Sequence, residues 1–222
     1  MILKLRKELR RLKSRINYMD CFRGGFDEYE AYFVHIPKSA GSSVSLSLFG
    51  YQVGHLTYED IFYLNKSKAK KYFSFTFVRN PIDRFVSAYA FLKAGGMNER
   101  DLMFSKENLL AYNDINEFVF DLTSEMIESH LHFMPQYKFL CSDASIYPQV
   151  KFIGRFENIE NDFEYITKKL DIKAKLQEIN TTDKSSANVT LTKKSMEKLQ
   201  RLYSIDYYLF GYNLNSRMNR VK

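Results

Sequence analysis

The chain has 222 residues, of which 45% are hydrophobic and 27% charged, with a formal net charge of +7. This composition is typical of a globular domain, and nine glycines and four prolines exclude collagen-like and low-complexity chains. No apolar run approaches the ~18 residues that cross a bilayer, and the N-terminus lacks the apolar segment of a secretory signal peptide. The two cysteines, Cys21 and Cys141, lack the spacing of a zinc site or a disulfide framework, which fits a reducing compartment.

Most of the net charge lies at the N-terminus. Residues 1–16 hold seven basic residues and the single acidic residue Glu8, so six of the seven net charges fall in this segment. The basic residues are Lys4, Arg6, Lys7, Arg10, Arg11, Lys13 and Arg15. Apolar residues recur there every three or four positions, at Ile2, Leu5, Leu9, Leu12, Ile16 and Met19. We therefore predict a basic amphipathic helix within residues 1–25 and a single domain over residues 26–222.

Such a helix has several possible roles, and the sequence leaves them open. Its apolar stripe can pack on the domain that follows, contact an anionic membrane, or pair with a second copy through residues 1–20. The charge is confined to this short segment and no nucleic-acid motif follows it, so we expect no nucleic-acid partner. A cytoplasmic bacterial protein, peripheral at the inner face of the membrane, is the expectation for localisation.

Short apolar strands alternate with helical segments after this helix. The predicted strands cover residues 31–36, 72–78 and 150–154. The predicted helices cover residues 42–49, 82–93, 106–129, 157–170 and 192–203, the last capped by Thr190 or Thr192. Residues 66–71 are expected to be a polar connection. This alternation predicts an α/β fold, with a central parallel sheet and helices on both faces.

The first predicted strand runs directly into the segment Pro37-Lys38-Ser39-Ala40-Gly41-Ser42-Ser43 and a helix. A strand, a turn and a helix N-terminus form a suitable phosphate cradle, because the N–H groups at the start of the helix have no partners within it. Gly41 allows the backbone to approach a ligand closely, and Lys38 adds a positive charge. The segment lacks the Gly-Lys-Ser/Thr order of nucleotide triphosphatases. A serine-rich helix cap is the alternative interpretation.

The second predicted strand ends in a similar way. Arg79 follows it directly, and Ser87 lies about two turns into the next helix. Parallel strands deliver their carboxyl ends to the same edge of a sheet. We therefore expect Lys38 and Arg79 to face one crevice, which suits a ligand with phosphate groups at two places. Asp83 and Arg84 are expected to form structural pairs at the helix start.

Five segments resemble, in order, the conserved blocks of the carbohydrate sulfotransferases, which use 3′-phosphoadenosine 5′-phosphosulfate (PAPS). HIPKSAGSSV (35–44) and FTFVRNPIDRFVSAY (75–89) resemble the two cofactor motifs of this family. HFMPQ (132–136), FIGRFENIENDF (152–163) and DYYLFGY (206–212) resemble its later blocks. The resemblance implies a P-loop-like sulfotransferase fold, transfer of a sulfuryl group from PAPS to a carbohydrate hydroxyl, and no metal requirement.

The same resemblance implies roles for individual residues. The 5′-phosphosulfate would be held by Lys38, Ser39, Gly41, Ser42 and Ser43, and the 3′-phosphate by Arg79 and Ser87. Arg155, after the third strand, is a further cofactor candidate, with an ion pair to Glu157 as the alternative. Residues 179–185 resemble the late cofactor loop only loosely and offer Lys184 as a contact. Lys38 is also the group expected to stabilise charge on the leaving phosphate.

A general base is expected to take the proton of the acceptor hydroxyl, and histidine is suited to that task near neutral pH. Related sulfotransferases carry a histidine proposed as the base at the place of His55, which makes His55 the first candidate. His132, in the HFMPQ block, is the second. His35 is interpreted as structural and His130 as exposed or structural, and Glu59 or Asp60 offers a carboxylate alternative.

Two other functions stay open. A small nucleotide or sugar kinase has a similar fold, although the absent Gly-Lys-Ser/Thr order argues against it. A non-catalytic protein that binds a membrane or a nucleic acid through the basic N-terminal helix is the other possibility. The sequence does not identify the acceptor.

Overall fold

A computed structural model describes residues 21–177 and 189–214. Residues 1–20, which hold most of the predicted N-terminal helix and its predicted membrane or self-association role, and the candidate Lys184 lie outside the described residues, so these stay predictions. Within the described ranges, no helix is long and apolar enough to cross a membrane. The described residues divide into two compact units, one holding residues 21–36, 40–78 and 137–177 and the other residues 37–39, 79–136 and 189–214.

The first unit is built on a three-stranded parallel sheet with the order β1-β2-β3. The strands are β1 (Ala31–Phe33), β2 (Phe73–Val78) and β3 (Phe152–Arg155). Phe75 of β2 is the partner of Phe33 on one side and of Phe152 on the other. Every residue of β2 after the first is buried, as in a parallel sheet covered by helices. The predicted α/β fold with a parallel sheet is confirmed, although each strand is shorter than predicted.

The helices surround this sheet or form the second unit. In chain order they are α1 (Gly25–Glu28), α2 (Gly41–Phe49), α3 (Tyr58–Leu64), α4 (Lys66–Lys71), α5 (Pro81–Lys93), α6 (Glu99–Asn108), α7 (Ile115–Asp121), α8 (Ser124–Ser129), α9 (Tyr137–Leu140), α10 (Ile159–Leu170), α11 (Lys193–Leu202) and α12 (Ser204–Phe210). A 3₁₀ turn, Phe156–Asn158, precedes α10. Helices α5 to α8, α11 and α12 belong to the second unit.

Two local predictions are wrong, and helix caps explain both. The polar connection over residues 66–71 is helix α4, because the Asn65 side chain accepts a hydrogen bond from the Lys68 N–H and starts a helix. The single helix over residues 106–129 is divided among α6, α7 and α8. Asp114 and Thr123 each accept hydrogen bonds from backbone N–H groups two or three residues ahead, which starts a new helix each time.

Other helix boundaries agree closely with the sequence. Pro81 is the first residue of α5, and the preceding Asn80 caps that helix through its side-chain oxygen. Thr192 caps α11 by accepting a hydrogen bond from the Ser195 N–H, so the expectation for this residue is confirmed. Buried aromatic residues, among them Phe85, Phe118 and Phe133, form the core of the second unit.

Candidate active site

The loop between β1 and α2 has an unusual backbone. Lys38 has a φ of 67° and Ala40 a φ of 62°, so two residues other than glycine adopt the left-handed conformation within three positions. Such residues are uncommon and cost conformational energy, and they concentrate at ligand-binding loops. This backbone is an observation in favour of the phosphate-cradle interpretation over a simple helix cap.

Gly41, the first residue of α2, lies against the imidazole of His35. A Cβ atom at position 41 would lie 1.8 Å from Cδ2 and 2.0 Å from Nε2 of that ring. Glycine is therefore the residue that this position accepts while the imidazole fills the space beside the helix start. The backbone of Gly41 can lie this close to the His35 ring only because residue 41 has no side chain.

His35 is a neutral structural residue. Its side chain is buried, and this burial, with a smaller contribution from the neighbouring His55, lowers its pKa to about 3. The ring is therefore uncharged near neutral pH. Its Nδ1 lies 3.3 Å from the carbonyl oxygen of Val53 and donates a hydrogen bond to it. The structural interpretation of His35 agrees with this geometry.

His55 packs beside His35, with the two ring centroids 4.1 Å apart. Nδ1 of His55 lies 3.0 Å from the backbone carbonyl oxygen of His35. Because a carbonyl oxygen can only accept a hydrogen bond, Nδ1 carries the proton in the neutral ring and the lone pair is on Nε2. This is the tautomer in which a histidine can accept a proton from a hydroxyl group at Nε2.

The second unit brings residues of the two predicted cofactor motifs together. Nη1 of Arg79 donates a hydrogen bond to the backbone carbonyl oxygen of Lys38 at 3.4 Å. Nζ of Lys38 lies 4.2 Å from the centre of the Phe91 ring, in the range of a cation–π contact. Arg79 is half-buried and the adjacent Ser39 is buried. The cationic residues of the two motifs, Lys38 and Arg79, are thus joined through the Lys38 backbone carbonyl oxygen.

His132 lies in a different environment from His55. Its Nε2 is 3.6 Å from a carboxylate oxygen of Asp101, which is also 3.7 Å from Nε2 of His130. Asp101 and His130 are buried. Burial lowers the pKa of His130, while Asp101 acts in the opposite direction. Nδ1 of His132 is buried as well, so one ring nitrogen faces a buried carboxylate and the other lies away from solvent.

The remaining predicted residues lie in helices α2 and α5 or at the end of β3. Ser42 and Ser43 are in the first turn of α2, with Ser43 buried. Ser87 is buried in α5. Arg155 ends β3 with an exposed side chain, and its backbone N–H donates to a carboxylate oxygen of Asp162 at 2.6 Å. In the described parts of the chain, no group of three or more His, Cys, Asp or Glu residues could hold a metal ion.

Two buried polar residues carry more of the local structure than the sequence indicates. Arg84 is fully buried. Its Nη1 donates to the carbonyl oxygen of His132 at 3.0 Å and its Nη2 to that of Met134 at 2.7 Å. A structural role was expected for Arg84 as part of a pair at the helix start, whereas its guanidinium instead binds and fixes a distant backbone segment. Gln136, also fully buried, is hydrogen-bonded to Arg79 and Ser39. Gln136 is the last residue of the HFMPQ block, and only this position in a family-like segment indicated from the sequence that it could be functional.

The family follows from comparison with known proteins. The sequence profile of the sulfotransferase family matches residues 52–213, nearly three quarters of the chain. The chain belongs to the sulfotransferase family. This confirms the predicted family, and the parallel sheet with its surrounding helices is consistent with the sulfotransferase fold. The matched range includes His55, Arg79, His132 and Gln136, and it begins after the loop that carries Lys38.

A curated relative is also similar to this sulfotransferase. Carbohydrate sulfotransferase 14 of Danio rerio is 29% identical over 172 residues, which cover 67% of this chain and 46% of the relative. The matched part of the chain thus spans about half the length of that relative. No solved structure gave a significant match.

Proposed function

We propose that this sulfotransferase transfers a sulfuryl group from PAPS to a hydroxyl group of a carbohydrate. The family membership and the likeness to a carbohydrate sulfotransferase support the reaction class and the acceptor class. The observation that carries the proposal is the hydrogen bond between the Arg79 guanidinium and the Lys38 carbonyl oxygen. It joins the two segments that the sequence assigns to the two phosphate groups of the donor.

The residues present fit a donor of this kind. Guanidinium, ammonium and hydroxyl groups are the usual partners of phosphate oxygens, and Arg79, Lys38 and Ser39 supply one of each. The left-handed residues of the loop and the glycine at position 41 allow its backbone to approach a ligand. Lys38, Ser39, Gly41, Ser42 and Ser43 would hold the 5′-phosphosulfate, and Arg79 and Ser87 the 3′-phosphate. Arg155 remains a further candidate.

The protein then supplies two functional groups for the reaction, a cation for the leaving group and a general base for the acceptor. PAPS, when bound, supplies the sulfuryl group and leaves as 3′-phosphoadenosine 5′-phosphate. The Lys38 ammonium would stabilise the negative charge that develops on the leaving 5′-phosphate. His55 accepts the proton of the acceptor hydroxyl at Nε2, while the His35 carbonyl oxygen keeps the proton on Nδ1.

The geometry favours His55 over His132 as the base. The ring of His55 has one nitrogen fixed by a backbone carbonyl and its lone pair on the other. The ring of His132 has Nε2 directed at Asp101 and Nδ1 buried. We therefore assign His132 to the support of the Asp101 cluster and not to proton transfer.

A transfer assay with ³⁵S-labelled PAPS and a panel of neutral and acidic glycans tests the function. We expect label to enter at least one glycan and His55→Gln to lose about 100-fold or more of the transfer rate, the usual contribution of a general base. The same variant should bind 3′-phosphoadenosine 5′-phosphate as the wild type does. His132→Gln is the matched control and should retain a larger share of the rate.

Two outcomes would contradict the proposal. Magnesium-dependent phosphoryl transfer from ATP, with no transfer from PAPS, would favour the kinase alternative. A normal transfer rate in His55→Gln together with loss in His132→Gln would reverse the assignment of the base.

A further inference from the structure

Gln136 forms a paired contact with the backbone of Arg79. Its Oε1 accepts a hydrogen bond from the Arg79 N–H at 2.9 Å, and its Nε2 donates to the Arg79 carbonyl oxygen at 2.9 Å. A single side-chain amide thus satisfies both polar groups of one residue, as a neighbouring strand does in a sheet. The residue whose backbone is held in this way is the predicted 3′-phosphate ligand.

The same side chain reaches the other cofactor motif. Oε1 of Gln136 also lies 3.4 Å from the hydroxyl of Ser39, which donates to it. The backbone N–H of Gln136 donates to a carboxylate oxygen of Asp206 at 2.8 Å. Gln136 and Asp206 are both completely buried. Gln136 therefore connects three segments of the second unit that are far apart in the sequence.

A buried amide of this kind holds its partners firmly. Leaving a buried N–H or carbonyl group without a partner costs free energy, so the Arg79 backbone is strongly favoured in the position that Gln136 defines. The distances also show which partner of Gln136, Arg79 or Ser39, is held more strongly. The two bonds to Arg79 are short and the one to Ser39 is long, so loss of the amide should affect Arg79 most.

We propose that Gln136 is a positioning residue, which holds the backbone of Arg79 so that its guanidinium is preorganised for the 3′-phosphate of the nucleotide. This inference rests on the proposed function. A ligand group bound by a preorganised side chain gains affinity, because less conformational freedom is lost on binding. Gln136 thus acts through Arg79 and needs no contact with the nucleotide.

A comparison of two nucleotides separates positioning from a general structural role. 3′-Phosphoadenosine 5′-phosphate carries the 3′-phosphate and AMP does not, so the ratio of their affinities measures the contribution of that phosphate. Gln136→Met removes the amide and keeps a similar side-chain length. A positioning role predicts a reduced ratio, whereas a general disturbance of the fold would weaken both nucleotides alike.

The experiment is calorimetric titration of both nucleotides into the full chain. We expect Gln136→Met to weaken binding of the bisphosphate by about tenfold or more, as for the loss of two buried hydrogen bonds, and to leave AMP binding nearly unchanged. In an Arg79→Ala background, Gln136→Met should cause little further loss, because the two residues act as one unit. Gln200→Met is the matched control, since Gln200 also donates from Nε2 to a backbone carbonyl oxygen, that of Leu214.

Failure of the inference differs from failure of the proposed function. If the wild type does not bind the bisphosphate, the proposed function is wrong. If the wild type binds it and Gln136→Met has an unchanged preference for it over AMP, the positioning role is wrong. Should Gln136→Met melt below the assay temperature, Gln136→Asn keeps a buried amide, shortens its reach by one methylene group, and is read out in the same way.

Discussion

Arg79 donates a hydrogen bond from its guanidinium to the backbone carbonyl oxygen of Lys38, at 3.4 Å, across 41 positions of sequence. The contact directs a cationic side chain from the second cofactor motif toward the backbone of the first. Both residues were expected to serve phosphate groups of one ligand. A carbonyl oxygen bears only a partial negative charge, so a phosphate group near Arg79 would bind its guanidinium more strongly.

Gly41→Ala tests whether the His35 ring fixes the start of α2. The new methyl group would lie 1.8 Å from Cδ2 of His35, so the imidazole or the helix start must move. We expect this variant to melt several degrees lower than the wild type and to bind 3′-phosphoadenosine 5′-phosphate more weakly. Gly54→Ala is the control, because a Cβ atom there meets nothing within 4 Å. Equal melting temperatures for the two variants would contradict the account.

The burial of His35 predicts a pH dependence of stability. Its pKa falls from 6.5 to about 3 in the folded protein, chiefly through burial. Between these pH values the unfolded chain binds a proton at His35 that the folded protein does not. The free energy of unfolding is therefore not reduced by His35 above pH 6.5, and it falls as the pH decreases from 6.5 toward 3. The contribution reaches about 1.4 kcal/mol per pH unit.

Urea denaturation between pH 7 and pH 4 measures this effect in the wild type and in His35→Phe, whose ring fills a similar space. We expect the free energy of unfolding to decline less steeply with falling pH in the variant. His130, whose pKa burial also lowers, contributes to the decline in both proteins, so the difference between them isolates His35. Parallel curves would show that His35 is protonated in the folded state as readily as in the unfolded chain.

Arg84→Met tests the buried guanidinium. The substitution removes hydrogen bonds to the carbonyl oxygens of His132, Phe133 and Met134. We expect the free energy of unfolding to fall by about 3 kcal/mol, because the carbonyl oxygens of His132 and Met134 lose the Arg84 hydrogen bonds. Urea denaturation measures it, with the exposed Arg201→Met as control, for which about 0.5 kcal/mol or less is expected. Similar losses in both variants would refute the structural role of Arg84.

The pattern of apolar residues in the sequence correctly predicted the three parallel strands of the sheet. β2 is rich in aromatic and β-branched residues and ends at Val78, and the Asn80-Pro81 pair that follows marks the start of a helix. Errors arose where side-chain caps override apolar periodicity. Asp114 and Thr123 each start a helix in the middle of a predicted one, because a cap satisfies backbone N–H groups that the continuing helix would otherwise use.

The candidate site was only partly visible in the sequence. Lys38 and Arg79 follow strands, so their placement could be inferred from the topology of a parallel sheet. Gln136 and Arg84 could not be found in this way, because their roles depend on hydrogen bonds to backbone groups far away in the chain. The tautomer of His55 likewise depends on the carbonyl oxygen of His35, a contact that residue type alone does not reveal.

The most direct test is calorimetric titration of 3′-phosphoadenosine 5′-phosphate into the wild type, Lys38→Ala, Arg79→Ala and the exposed control Arg201→Ala. We expect micromolar binding in the wild type and the control, and about tenfold or greater weakening in each of the other two, as for the loss of a charge-assisted phosphate contact. AMP should bind more weakly than the bisphosphate to the wild type. Absence of bisphosphate binding in folded wild-type protein, or equal affinity in all four proteins, would contradict the assignment of the two motifs to the donor.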